Sequence, residues 1–378
     1  MVNILDFGTT KAALLTAIAS GAKSIYFPEG EYNYTGAAIY LDRPINLYGD
    51  GKGASIIKLT EGFRTNSGGL NVRDLEFVAT TTSGSNIAFK THYPDDKWAL
   101  ADMVGFTFDN VRFRGFFYST YLAAANYGYA SDPSFVPVGL VKNVKITNSD
   151  SYAPSTGNAG HFQHLRAYDV ELIGNSTYGG AGATSYNFIG GNGYLRVVGN
   201  YDEKNSYGSC QIENQSGKSV VSGNTFGKKL WIDDSSNVAV TGNVIDGELH
   251  ISIQNYDVKN VVATGNVLGR VIIGKFGDAQ AQTNPLSMDA IIVNDNVIGG
   301  TGNYGLFISD DNNRIWRIDV DHNTFVGEHT SGTIGVVRAS NQYIRLTSNI
   351  MINNPLDFGK RTIITSGSGG YILNSGNV

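Results

Sequence analysis

The phrase Val/Leu-x-Gly-Asn returns along the second half of the chain, as "LIGNSTYGG" from Leu172, "VVGNYDEKN" from Val197, "VSGNTFGKK" from Val221, "VTGNVIDGE" from Val240 and "ATGNVLGRV" from Ala263. Looser copies follow in "VNDNVIGGT" from Val293, "VDHNTFVGE" from Val320 and "LTSNIMINN" from Leu346. The Asn residues stand at 175, 200, 224, 243, 266, 296, 323 and 349, so the successive steps are 25, 24, 19, 23, 30, 27 and 26 residues. A recurrence of this length, drifting by small insertions, suits a β-solenoid in which each coil adds one rung about 4.8 Å tall to stacked parallel sheets. Insertions then bulge outward as loops.

Between the corners lie short alternating runs such as "NVAVTGN" and "ELHISIQ". Alternation puts apolar side chains on an inner face and polar ones on an outer face. The Gly-Asn pair falls where a strand has to turn. Asn tolerates the left-handed backbone conformation and can bond nearby backbone or an Asn on the next coil, so the repeated Asn is expected to be a structural ladder rather than a catalytic group.

The first half is less regular but carries the same pieces: "KSIYFPEGEYNYTG", "PINLYGDGKGASIIKL", "LNVRDLEFVA" and "FTFDNVRFRGFFYS". Ahead of them, Thr9 or Thr10 can cap a helix whose apolar residues Ala13, Leu14, Ala17 and Ile18 recur at helical spacing, and Gly21 can end it. Such a helix is expected to cover the open end of the solenoid, where a bare rung would be a sticky edge. The expected organisation is a cap over residues 1–24, a parallel β-helix over 25–354 and a closing segment over 355–378.

Composition narrows the classes of function. A formal net charge of -5 with no polybasic run offers no surface for nucleic acid. Forty-seven glycines, 21 tyrosines, 18 phenylalanines and only 8 prolines describe an ordered, turn-rich chain. Cys210 is the single cysteine, so no intrachain disulfide supports the fold. With no secretory leader and no run of about eighteen apolar residues, the chain is expected to be soluble, without membrane insertion and without Sec export.

A helix followed by "IYFPEGEY" and then many Val-x-Gly-Asn coils resembles the pectate-lyase-like right-handed parallel β-helix superfamily, and within it bacteriophage tailspike depolymerases; "FPEGEY" (Phe27 to Tyr32) and the repeated corners carry the resemblance. It implies an all-β, single-stranded right-handed parallel β-helix that assembles as a homotrimer on the virion tail. It also implies binding and cleavage of bacterial capsular polysaccharide or exopolysaccharide at the bacterial surface. The acidic phrase common before the capping helix is reduced here to "FGTTK" (Phe7 to Lys11), and no calcium constellation of the pectate lyases is present, which removes pectin as the implied substrate. No cofactor or metal is expected.

Aligning successive coils on an inward Ile gives "SCQIENQ", "KLWIDDS", "ELHISIQ" and "RVIIGKF", which stacks Ile212, Ile232, Ile251 and Ile273 inside. Alternation then sends two rows outward: Gln211, Trp231, His250 and Ile272, and beside them Glu213, Asp233, Ser252 and Gly274. A third row, two residues upstream, holds Ser209, Lys229, Glu248 and Arg270. Hydrolysis of a glycosidic bond needs one carboxylic acid to protonate the leaving oxygen and one carboxylate to attack or to activate water. Glu213 and Asp233, one rung apart, are the expected pair, because like charges so close raise proton affinity and let one member stay protonated. Trp231 is expected to stack on a sugar ring, and His250, Lys229, Glu248, Arg270, Gln211 and Tyr207 to hold hydroxyls or acidic substituents. As plain surface, the same residues would be solvated, with Lys229 and Glu248 forming a weak cross-rung ion pair.

Other places compete. Asp202, Glu203 and Tyr207 in "YDEKNSYG" stand on a charged turn before Glu213; Asp310 and Asp311 lack the spacing of a calcium loop; His161 and His164 fall on opposite faces of a strand, which disfavours a shared metal. Two aromatic stretches, Lys90 to Met103 and Phe116 to Phe135, read as insertions that shape a groove or pack between subunits. Three functions remain in play: an endo-glycosidase using Glu213 and Asp233, a polysaccharide lyase with a base such as His250, Lys229 or a tyrosine, and a receptor-binding spike without catalysis. The acid pair favours the first.

Overall fold

One coil can be followed from Val238. The strand Val238–Thr241 buries Val238 and Val240 and leaves Ala239 and Thr241 part-exposed, as alternation requires. Gly242 turns the corner with φ of 62°, and the side chain of Asn243 enters the interior. The next strand, Val244–Ile253, shifts register between Ile245 and Glu248, so it serves as a short second strand and then a third. A second left-handed residue, Asn260, marks the start of the next coil. The neighbouring coils pair with this one in parallel throughout.

This computed structural model describes residues 1–81, 86–92, 98–125, 138–155, 157–191, 193–203, 207–275, 286–309, 316–327, 329–337, 342–352, 364–366 and 371–377. Their architecture is the all-β, right-handed parallel β-helix read from the repeat, with one short helix at the N-terminus. Its contacts fall into two units, Met1–Ser209 and Cys210–Val378.

In the first unit, the helix Lys11–Ala19 begins at Thr10, whose side chain accepts the Ala13 N–H, and buries the expected Ala13, Leu14, Ala17 and Ile18. The strand Val2–Asn3 pairs with Ser24–Phe27 as the first rung of one sheet. The interior is aromatic: Phe63, Phe77, Phe89, Phe108 and Phe113 are each no more than 1% exposed, and their rings meet at 5.0–6.3 Å between centroids. Such offset and edge-on pairs add to the hydrophobic gain of burying the rings.

Two expected insertions prove to contain rungs. Ile87–Thr91 and Tyr118–Ala123 are in-register strands of the helix, so Lys90 and the run "YSTYLA" belong to the coil. Residues 93–97 and 126–135 of those stretches lie outside the described residues, as do Asp310 and Asp311. Asp202 is also relocated, from a charged turn to the interior. It is 1% exposed and accepts hydroxyl hydrogen bonds from Thr177 (2.7 Å), Ser185 (2.6 Å) and Ser209 (2.5 Å), which compensate its burial. His161 and His164 are both buried; His161 Nδ1 lies 2.6 Å from Ser151 Oγ, and His164 stacks on Phe188.

In the second unit the Asn ladder is continuous. Asn224, Asn243, Asn266, Asn296, Asn323 and Asn349 each direct a backbone N–H and a side-chain N–H at the Oδ1 of the next Asn, ending on Asn377, at 2.8–3.1 Å. The first unit holds the same link between Asn175 and Asn200. The left-handed conformation, however, belongs to the residue before the Asn: Gly174, Gly199, Gly223, Gly242 and Gly265 have φ of 62–66°, and Asp295, His322 and Ser348 replace glycine in later coils at φ of 52–55°. The glycine bends the chain so that the Asn side chain can turn inward. The corner therefore needs both members of the pair for different reasons.

Candidate functional site

The strands Gly208–Glu213, Leu230–Asp233, Val244–Ile253 and Val267–Lys275 carry the expected site. Their register is the one the alignment required: Ile212 pairs with Ile232, Ile232 with Ile251 and Ile251 with Ile273, all fully buried. Gln211, Trp231, His250 and Ile272 therefore form one row, and Glu213, Asp233, Ser252 and Gly274 the next.

These rows are not open surface, which corrects the expectation of solvated outward columns. Trp231 is 5% exposed, Asp233 and His250 are each 8% exposed, and Ser252 is fully buried. Gln211 and Glu213 are partly exposed. Burial changes the chemistry of every ionisable member, because the charged form loses its hydration.

Glu213 is pushed up to about 7, chiefly by burial and then by the charges of Asp233 and Asp234, against a 3.0 Å hydrogen bond from Gln211 Nε2. Burial and the Asp234 charge push Asp233 up to about 6, while the Ser252 hydroxyl, donating at 2.8 Å, resists. Asp234, which the alternation argument passed over, is the third carboxyl of the group. It sits at a corner with φ of 48°, one rung on from Asn214 at φ of 54°, and accepts backbone N–H groups of Gln254 (2.6 Å), Asn255 (2.8 Å) and Tyr256 (3.2 Å). Burial raises it and those three donors oppose the rise. The second Asp of "IDDS" falling where the previous coil has a corner Asn was the available signal.

The raised carboxyls predict how stability depends on pH. Between the ordinary value and the folded value, the native state holds more protons than the unfolded one, so stability falls as pH rises through that window. For Glu213 the window runs from 4.5 to about 7, and for Asp233 from 3.8 to about 6. A Glu213→Gln variant is expected to melt with wild type near pH 4 and above it at pH 8. Melting curves by circular dichroism at the two pH values check this; an unchanged difference between them would remove the burial argument.

Trp231 and His250 form a fixed pair. The indole Nε1–H donates to His250 Nδ1 at 2.7 Å. An indole nitrogen only donates, so the accepting imidazole nitrogen carries no proton, and the neutral ring bears its proton on Nε2. Burial, the leading cause, brings His250 down to about 4, with the Lys229 and Arg270 charges adding and Glu248 opposing. Trp231 is not the open sugar platform expected of it: the Lys229 ammonium lies 3.7 Å from its ring centroid, and the residue is almost wholly covered. Burial, as the first cause, lowers Lys229 as well.

The third row opens into a cleft of about 360 Å³ lined by Lys228, Lys229, Asp246, Glu248 and Arg270. Glu248 and Arg270 pair across the rung through Nε at 2.8 Å and a second guanidinium nitrogen at 2.5 Å. The floor is glycine: a Cβ on Gly247, Gly269 or Gly300 would come within 2.2–2.3 Å of the carbonyl oxygen of the neighbouring coil. The cleft is thus offset from the acids by four residues along the strand, about 13 Å. Tyr207 is 41% exposed at the end of the first unit.

No protein-family model matches the chain, and no curated protein matches it. Among solved structures it is similar to the A-module of mannuronan C-5 epimerase AlgE6 from Azotobacter vinelandii, at 15% identity over 100% of this chain and 99% of that one, with a TM-score of 0.41. A catalytic domain of GH87 alpha-1,3-glucanase, solved with tetrasaccharides, aligns at 14% identity over 97% of this chain and 66% of that one, with a TM-score of 0.47. Tailspike protein 3 of bacteriophage CBA120 aligns at 14% identity over 99% and 61%, also with a TM-score of 0.47.

Proposed function

We propose that this chain binds a polysaccharide and hydrolyses its glycosidic bonds with Glu213 and Asp233. The observation that carries the reading is their register on neighbouring rungs with both carboxyls raised, Glu213 to about 7 and Asp233 to about 6. Groups poised on either side of pH 6.5 can share the work: Glu213 protonates the leaving oxygen, and Asp233, ionised first, attacks the anomeric carbon or activates water. A rung spacing of about 4.8 Å lies near the short carboxyl separation of retaining enzymes, about 5–5.5 Å. The cleft around Lys229, Glu248 and Arg270 is suited to sugar units beyond the cleaved bond. The tailspike resemblance of "FPEGEY" and the coils supports a finer reading, in which a homotrimeric spike on a phage tail attacks capsular polysaccharide or exopolysaccharide at the bacterial surface.

The Trp231–His250 bond weighs against His250 as the base of the lyase alternative. A base for β-elimination needs a free lone pair, whereas His250 spends that of Nδ1 on Trp231 and holds a proton on Nε2. Incubation with bacterial surface polysaccharides is therefore expected to release reducing ends with no gain in near-ultraviolet absorbance. A matching absorbance gain would replace hydrolysis by elimination, and tight binding without reducing ends would make the chain a receptor-binding spike.

A further inference from the structure

We propose that the outer face of the first unit carries a second site, for a carboxylate-bearing sugar such as a uronic acid residue of a glycan, built from two short columns of side chains. Parallel pairing aligns Ser24 with Asn46 and Asn46 with Asn71 in one column, and Tyr26 with Tyr48 and Tyr48 with Arg73 in the other. Ile25, Leu47 and Val72 stand between the columns and are fully buried, so alternation turns both columns away from the core. A cleft of about 330 Å³ over these strands is lined by Ser24, Asn46, Tyr48, Asn71 and Arg73, with the exposed Met1 at its edge. Two residues along a strand and two rung steps across it span about 7 by 10 Å, room for one or two sugar rings.

Its chemistry selects the ligand. Other cations on this sheet meet a carboxylate of a neighbouring coil: Lys142 Nζ lies 2.6 Å from Asp102, and the Arg196 guanidinium 3.1 Å from Glu171. Arg73 has no such partner among the described residues, and no carboxylate lines the cleft. The Arg73 guanidinium lies instead over the Tyr48 ring, 5.3 Å from its centroid. That ring stacks in turn on Tyr26 at 5.2 Å, and the Tyr26 hydroxyl donates to Asp50 at 2.5 Å. The cation is therefore held in place before a ligand arrives, which lowers the entropy lost on binding. A guanidinium presents a planar fork that matches a carboxylate. The facing column supplies groups for hydroxyls. Asn46 Nδ2 donates to Ser24 Oγ at 2.9 Å, which leaves the Ser24 hydroxyl proton and the Asn46 carbonyl oxygen to a ligand, and the Asn71 amide makes no hydrogen bond among the described residues. Ser24, Asn46 and Asn71 are partly exposed and Arg73 is exposed, so a solute reaches all four. A fork for one carboxylate beside amides and a hydroxyl about 7 Å away fits a sugar acid. A small inorganic anion would use the cation alone, and a neutral sugar would leave it idle.

That the sugar acid belongs to a glycan rests on the function proposed above, so binding is measured apart from cleavage. In Glu213→Gln protein, calorimetric titration with digalacturonate and with diglucuronate is expected to show at least one of them binding about tenfold or more tighter than its dimethyl ester, which keeps the rings and loses the charges. Arg73→Gln is expected to remove that preference, and Asn71→Ala to weaken acid and ester together while keeping it. A urea midpoint near the parent's confirms folding for each. The site is refuted when neither acid binds, when the ester binds the parent equally, when acetate or inorganic phosphate binds as tightly as the sugar acid, or when either variant binds like the parent. Binding that depends on Arg73, in a protein that releases no reducing ends before the Glu213 substitution, would overturn the hydrolase and leave the site standing; reducing ends released by a protein without Arg73-dependent binding would do the reverse.

Discussion

Truncating one rung of the Asn ladder is expected to destabilise the second unit by about 3–9 kcal/mol, summing roughly 1–3 kcal/mol for each of three buried groups left without a partner. In Asn266→Ala the backbone and side-chain N–H groups of Asn243 lose the Oδ1 they share at 2.9 Å, and the Val240 carbonyl loses its donor at 3.0 Å. Asn266 is 1% exposed, so water is a poor substitute. The partly exposed Asn377 makes the same bonds to Asn349 and Leu346, and Asn377→Ala is expected to cost only a fraction as much because solvent can take over. Urea denaturation of both variants checks the contrast. Asn266→Asp sharpens it by keeping the acceptor for Asn243 while turning a second oxygen toward Val240 and Asn296, so its defect is expected to shrink as pH falls and the carboxyl protonates. Equal midpoints for the Asn266 and Asn377 variants would mean that the ladder follows the fold without holding it.

The difference between ladder and site explains what the residues disclosed in advance. Gly-Asn recurrence located the corners, and alternation about Ile212, Ile232, Ile251 and Ile273 set the register that brings Glu213 against Asp233, because both signals come from packing inside one coil. Periodicity says which way a side chain faces but not what lies over it. Trp231, Asp233 and His250 face away from the core and are still buried, and no local pattern near them announces that. Asp202 failed in the opposite sense. In "NYDEKN" it looks like a turn, yet it stacks on Thr177 inside the coil, where hydroxyls of Thr177, Ser185 and Ser209, drawn from three separate strands, make the carboxylate tolerable. Asp234 was hidden by its corner, since alternation has no prediction for a residue at positive φ. The aligned row of Tyr40, Arg64, Lys90, Tyr121, Gln163 and Asn187 escaped for a related reason: its members are 24–42 residues apart, and the strands that align them include two inside stretches that read as insertions.

Removing either carboxyl of the proposed pair is expected to lower polysaccharide hydrolysis about 10²–10⁴-fold, the usual worth of a positioned proton-transfer group. The two substitutions are not equivalent, and pH separates them. Activity requires Asp233 ionised and Glu213 protonated, so in wild type it rises through about 6 and falls through about 7, giving a narrow maximum between. Glu213→Gln deletes the acid, and its residual activity should lose the fall at higher pH. Asp233→Asn deletes the base, and its residue should lose the rise at lower pH. With Asp233 neutral, one of the charges that raises Glu213 is gone, so any remaining fall should move to lower pH. Rate profiles from pH 4 to 9 on a cleaved polysaccharide, with circular dichroism to confirm folding, measure all of this. Substitution of Asp234 offers the control within the same cluster. Its carboxylate is committed to three backbone N–H groups of the following turn, so Asp234→Asn should act mainly by lowering both neighbours, sliding the whole profile toward acid pH without the large fall in maximal rate. A profile that stays in place in all three variants would place the acid and base elsewhere in the molecule, and would leave Glu213 and Asp233 as buried carboxyls whose raised proton affinity reflects their surroundings alone.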